Sequence, residues 1–330
     1  MLDQVIKLFS IPIHYDLDLM TQNQSLEQLT ASIITNTSEV LNQEQPDCLI
    51  VQGDTTTTFS TSLAAFYHHI PVAHVEAGLR TYEKSAPFPE EINRRMTSCI
   101  ADWHFTPTEC ARDALIKECY PSSHIFVVGN TVIDALLSII HKARDQEKNL
   151  IQRFPMLQDN KRMLLVTGHR RENFGSAFQS ICYSIKHIAQ QNPNLEIIYP
   201  VHLNPNVQEP VYKILSGQPN IHLIEPQDYL SFVWLLDRSY LVLTDSGGVQ
   251  EEAPSLGKPV LVMRNTTERP EAIDAGVACL VGTNQQMICH SVQKLLDDET
   301  SYKAMSQIQN PYGDGTSSIQ IADLLTKNLA

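Results

Sequence analysis

The chain has 330 residues, of which 42% are hydrophobic and 18% charged, with a formal net charge of −13. That length suits two domains of ordinary size with ample core, and the acidic balance argues against a general nucleic-acid binder, whose affinity rests on Lys and Arg against phosphates. No run of about eighteen apolar residues marks a membrane span, and MLDQVIKLFS carries neither the basic region nor the cleavage site of a secretory signal.

The elements alternate along the chain. MLDQVIKLF reads as a helix. Leu26, Leu29, Ile33 and Val40 recur at helical spacing between Ser25 and Glu44. A short buried strand, Cys48–Val51, ends at Gly53, and a helix runs from Thr55 to His69. Pro71–Val75 is the next strand. Glu90 to Trp103 reads as helix, with Pro89 fitting its first turn. Ile125–Val128 is a strand and Thr131–Ala143 a helix. The charged stretch 144–162, with Pro155, reads as a connection. Strands follow at Met163–Thr167, Leu195–Tyr199, Ile221–Ile224, Leu241–Thr244, Pro259–Met263 and Cys279–Val281, and Ile319–Leu329 is the last helix.

Short, continuously apolar strands alternating with helices predict an α/β protein with parallel sheets covered by helices. The expected organisation is two Rossmann-like domains. Residues 1–143 form the first, with 316–330 packing back on it; 144–162 connects; 163–315 forms the second. Ligands of such sheets sit outside the carboxyl ends of the strands. No strand precedes the first helix, so the first domain is expected to lack an opening βα unit. The seven cysteines are scattered without a C-x-x-C pair and read as reduced thiols of a cytoplasmic protein.

Several stretches carry chemistry. In TDSGGVQEEAPSLGKPV the strand Leu241–Thr244 hands over to a helix through Ser246, Gly247 and Gly248, leaving backbone N–H groups aimed outward, suited to phosphate. Glu252, in the helix that follows, suits a ribose diol; an ordinary βα turn is the plain alternative. Asp54 ends the first strand, as a catalytic carboxylate or as a helix cap. Glu76 ends the next; partial desolvation there favours proton transfer, and a salt bridge with Arg80 is the alternative. His74 alternates with Glu76 on one strand face, but no further ligand lies at a recognised metal spacing, so no metal is expected. Glu90 and Glu91 open a helix, where carboxylates suit the macrodipole. His169, Arg170 and Arg171 crowd a strand end and suit a diphosphate. Basic and hydroxyl groups recur in Arg264–Ala272, which includes Glu268 and Arg269. His202 in VHLNPNV is a weaker case, with a capped turn histidine as the plain alternative.

GDTTTT, HVEAGLR, PEEINRR, GHRREN, VHLNPNV, TDSGGVQEEAPSLGKPVLVMR, TTERPEA and NPYGDG, in that order, resemble the non-hydrolysing UDP-N-acetylglucosamine 2-epimerases over essentially the whole chain. The resemblance implies the two-domain glycosyltransferase-B fold with its active site in the interdomain cleft. It implies interconversion of UDP-N-acetylglucosamine and UDP-N-acetylmannosamine through elimination of UDP, without cofactor, membrane or nucleic acid, in a homodimer. By position it places the catalytic groups on Asp54, Glu76, Glu90 and His169. It places substrate contacts on Arg170, Arg269, Ser246, Gly247, Gly248, Glu252, His202 and Phe232, the last equally readable as helix core. The family's opening strand and its Gly-Thr-Arg-Pro-Glu turn have no counterpart before Met1, so weak or absent activity is expected. A hydrolysing 2-epimerase, a glycosyltransferase and a non-catalytic UDP-sugar binder are the rival readings.

Overall fold

The structure, a computed structural model, describes residues 2–21, 23–157, 161–267 and 269–329. Its residues group into two compact units, Phe9–Asp134 with Tyr312–Ala330, and Met1–Leu8 with Ala135–Pro311. The division falls inside one helix, Thr131–Asp145, and the stretch expected as a connection carries a further helix, Glu147–Arg153.

The first of these units is built on four parallel strands, β1 (Leu49–Gln52), β2 (Val72–Val75), β3 (Trp103–Thr106) and β4 (Ile125–Val127), side by side in chain order. One face packs Ala73, Val75 and Phe105 against Ile321 and Leu325 of the closing helix, Ser317–Leu329. Another apolar cluster joins Val51 and Val72 to Ala64 and Ala65 of the helix Thr56–Tyr67. The periodicity misplaces β3. The expected helix Glu90–Trp103 stops at Ile100, and the chain turns into the sheet at Asp102. Its carboxylate accepts the Val72 N–H at 2.8 Å, while its own N–H donates to the Val72 carbonyl at 2.8 Å. Trp103, Phe105 and Thr106 are then aromatic and β-branched residues that suit a strand.

The second unit carries six parallel strands, β5 (Arg162–Thr167), β6 (Leu195–Pro200), β7 (Ile221–Ile224), β8 (Leu241–Thr244), β9 (Val260–Val262) and β10 (Ala278–Leu280), in the order β10-β9-β8-β5-β6-β7. Chain order reverses between β5 and β8, giving the doubly wound arrangement with its ligand crevice at that switch point. The core is large and apolar, including Leu164, Val166, Phe178, Ile197, Tyr199 and Leu243, all fully buried. Together these sheets are the glycosyltransferase-B-like α/β class.

Candidate active site

At the switch point the loops after β5 and β8 meet on one buried carboxylate. Thr167 and Thr244, register partners, bring their hydroxyls to 2.5 Å. One residue on, Asp245 is fully buried and accepts the N–H groups of His169 and Arg170, each at 2.9 Å, and the Asn173 amide at 3.3 Å. The same amide donates to the Met263 carbonyl just past β9. Asp245 therefore sets the backbone that presents His169 and Arg170, a part that its sequence position alone did not reveal. The His169 ring stacks on that of His202, with centroids 5.4 Å apart. Burial holds His169 below its ordinary pKa, against a smaller upward pull from Asp245. His202 also serves its own turn, its Nδ1 accepting the Asn204 N–H at 3.1 Å.

The helix Gly247–Ser255 starts on Ser246, whose side chain makes no capping hydrogen bond. Its first N–H groups are thus left for an outside acceptor. A Cβ placed on Gly248 would meet nothing within 4 Å, whereas one on Gly247 would sit 2.6 Å from Nη1 of Arg269. The Arg269 guanidinium thus lies over the start of the helix, held there by its 2.6 Å bond to Glu251. Asn310 of the NPYGDG stretch donates to the Glu251 carbonyl at 2.8 Å and anchors the helix. Of the TTERPEA stretch, Thr267 donates to Gln250 at 2.8 Å, and Glu268 lies outside the described residues. Phe232, half-buried, lines a cavity of about 1020 Å³ with Tyr229, Gln227 and Leu150, so it is not simply helix core.

Glu252 is buried, and burial pushes its carboxyl up to about 7, opposed by the Tyr229 hydrogen bond and reinforced by the Glu251 charge. The ligand-free protein keeps this group protonated below that value, whereas the unfolded chain ionises it near the ordinary carboxylate range. Stability from this group is therefore full at pH 4 and is lost as pH rises to about 7, by something of the order of 3 kcal/mol. Urea unfolding at pH 5 and 8 should show a larger drop for the native chain than for Glu252→Gln. Equal drops would contradict it.

In the other unit, the carboxyl ends of β1 and β2 gather the proton-handling candidates. Gly53 continues the pairing by donating to the Val75 carbonyl at 3.0 Å. Glu76 follows with φ of +63°, a left-handed backbone that a glutamate adopts at a cost of roughly 1–2 kcal/mol. Its Oε2 lies 3.6 Å from where a Gly53 Cβ would stand. Asp54 does not cap the next helix; Thr55 does, its Oγ1 accepting the Thr58 N–H at 3.2 Å. The Asp54 carboxylate instead takes Arg94 Nη2 at 2.5 Å. The alternative partner for Glu76, Arg80, is committed elsewhere, forking onto Glu118 at 2.8 and 2.9 Å. His74 turns its ring to the Gly53 carbonyl at 2.8 Å, and burial lowers it to about 4.

Glu90 and Glu91 separate in role. Glu90 opens the helix Glu90–Ile100 and is half-buried. Glu91 is fully buried, accepting the Thr81 and Tyr82 N–H groups, each at 3.0 Å, and Arg94 at 3.4 Å. It is the clasp of the loop after HVEAGLR. Arg94, 6% exposed, joins that clasp to Asp54.

A glycosyltransferase-B-like fold with an uncapped helix terminus, an arginine over it and a buried carboxyl one turn on is an arrangement suited to a nucleotide-sugar enzyme. The family model of UDP-N-acetylglucosamine 2-epimerase matches residues 1–326. The UDP-N-acetylglucosamine 2-epimerase of Yersinia pestis is 56% identical over 96% of this chain and 85% of its own length. The crystal structure of the Neisseria meningitidis UDP-GlcNAc 2-epimerase bound to UDP-GlcNAc superposes with a TM-score of 0.92, at 51% identity over 99% of this chain and 88% of that one. The wall teichoic acid polymerase TagF, at 14% identity and a TM-score of 0.51, shares the fold alone. The chain belongs to the UDP-N-acetylglucosamine 2-epimerase family and is an isomerase. Among the described residues no helix is long and apolar enough to cross a membrane.

Proposed function

We propose that this chain interconverts UDP-N-acetylglucosamine and UDP-N-acetylmannosamine without hydrolysis. A base takes the C2 proton; the C2–H bonding electrons form the C1–C2 double bond as the C1–O bond breaks, and UDP leaves with the C1–O electron pair. Return of a proton to the other face of C2, with UDP oxygen adding at C1, gives the epimer. Atoms balance without an external oxidant or water. Asp54, Glu76 and Glu90 handle the protons, since one acid and one base must act on opposite faces. His169, Arg170 and Arg269 offset the charge on the departing diphosphate. The N–H groups of Gly247 and Gly248 and the Ser246 hydroxyl bind its oxygens, Glu252 takes the ribose, Phe232 borders the base, and His202 backs the His169 ring.

The observation that carries the reading is the glutamate held at φ +63°, its carboxylate against Gly53, on a backbone better suited to glycine. Incubation with UDP-N-acetylglucosamine, followed by proton NMR, tests it: UDP-N-acetylmannosamine should appear. Free N-acetylmannosamine with stoichiometric UDP would establish hydrolysis instead, and unchanged substrate would oppose the reading.

Gly247→Ala follows directly. The added Cβ would displace the Arg269 guanidinium from its place over the helix terminus. UDP affinity is expected to fall about tenfold or more by calorimetry, with the unfolding midpoint little changed. Unaltered affinity would show that Arg269 does not meet the diphosphate.

A further inference from the structure

Glu251 and Glu252 are sequence neighbours in opposite company. Glu251 pairs with the Arg269 cation. Glu252, 6% exposed, receives a single hydrogen bond among the described residues, from the Tyr229 hydroxyl to Oε1 at 2.6 Å. A buried carboxylate with one neutral donor is costly to maintain. It also keeps most of its acceptor capacity unspent, including that of Oε2. Glu252 lies four residues after Gly248, on the same helix face and about 6 Å further along. That face is open where Gly248 stands. Tyr229 is itself fixed. It is the first residue of the helix Tyr229–Arg238, whose capping Asp228 accepts the Ser231 N–H at 2.9 Å and Arg153 at 2.8 Å. It borders the same cavity as Phe232.

We propose that Tyr229 is a positioning residue for the ribose: its hydroxyl fixes Oε1 of Glu252 and turns Oε2 toward the 2′- and 3′-hydroxyls of the bound uridine nucleotide. The inference rests on the UDP reading above and adds the group that orients the ribose acceptor. At pH 8, where Glu252 is ionised and accepts only, a diol brings it two O–H donors, so the pair would select a ribonucleotide over its deoxy analogue. Leaving the site's buried acceptor unmatched is what penalises the analogue. Tyr229 touches no reacting atom.

Calorimetry on the full chain with UDP, 2′,3′-dideoxy-UDP and pyrophosphate tests this. Tyr229→Phe should weaken UDP about tenfold while changing dideoxy-UDP and pyrophosphate by less than about twofold. KM for the UDP-sugar should rise with kcat held within about twofold. Equal losses for UDP and dideoxy-UDP, or no loss for either, would overturn the role. Glu252→Gln separates this from the underlying reading. If the native chain does not distinguish UDP from dideoxy-UDP, the ribose assignment itself fails. If Glu252→Gln abolishes the distinction and Tyr229→Phe keeps it, only Tyr229 is eliminated. Should Tyr229→Phe not fold, 3-fluorotyrosine at that position serves: altered UDP affinity at constant dideoxy-UDP affinity supports the role, and any other pattern overturns it.

Discussion

Glu76→Gln is expected to lower kcat by about 10³-fold or more, the scale of a lost acid–base group, with little change in UDP affinity. Glu76→Gly should be as inactive yet no less stable, and more stable by up to about 1 kcal/mol. The reason is the backbone. At φ +63° glycine relieves the close approach of Cβ to the following carbonyl, although it also enlarges the freedom of the unfolded chain. A position where the inactive variant is the more stable one holds its carboxylate for chemistry, because the backbone conformation there favours glycine. The pair of measurements is turnover by NMR and urea unfolding of both variants. A glycine variant that loses several kcal/mol would mean that Glu76 serves the fold.

Adjacent glutamates should behave oppositely. Glu91→Ala leaves Arg94, 6% exposed, with Asp54 as its remaining carboxylate and strips the acceptor from the Thr81 and Tyr82 N–H groups. Breaking a buried pair from one side costs about 3–5 kcal/mol, so the variant is expected to unfold at markedly lower urea. Glu90→Ala touches no such network and should stay within about 1 kcal/mol of the native chain, while its turnover falls about 100-fold or more. Equal stability of the two variants would remove the clasp assigned to Glu91. Equal turnover of Glu90→Ala and the native chain would remove Glu90 from the proton-handling set.

The two sheets were legible because their strands are short apolar runs between helical stretches, as at Leu241–Thr244 before Ser246. β3 was hidden because Trp103 follows a helix without an intervening glycine or proline, and the turn into the sheet depends on Asp102 bonding Val72, thirty residues earlier. The phosphate turn was legible for a local reason, since Ser246, Gly247 and Gly248 sit together. Arg94, Asp245 and Tyr229 were not, because their meaning lies in distant partners. Arg94 meets Asp54 across 40 positions, Asp245 meets His169 across 76, and Tyr229 meets Glu252 across 23. Glu91 was hidden differently. Two carboxylates at a helix start look alike to the macrodipole, and only burial tells the clasp from its neighbour.

The measurement that bears most directly on the whole account is deuterium at C2 of the UDP-sugar, followed by NMR in D₂O. The native chain should exchange that position in step with epimerisation, and a chain with Asp54, Glu76 and Glu90 replaced together by their amides should show no exchange while still binding UDP. Unchanged exchange in the triple variant, or epimerisation with the C2 proton retained, would contradict it.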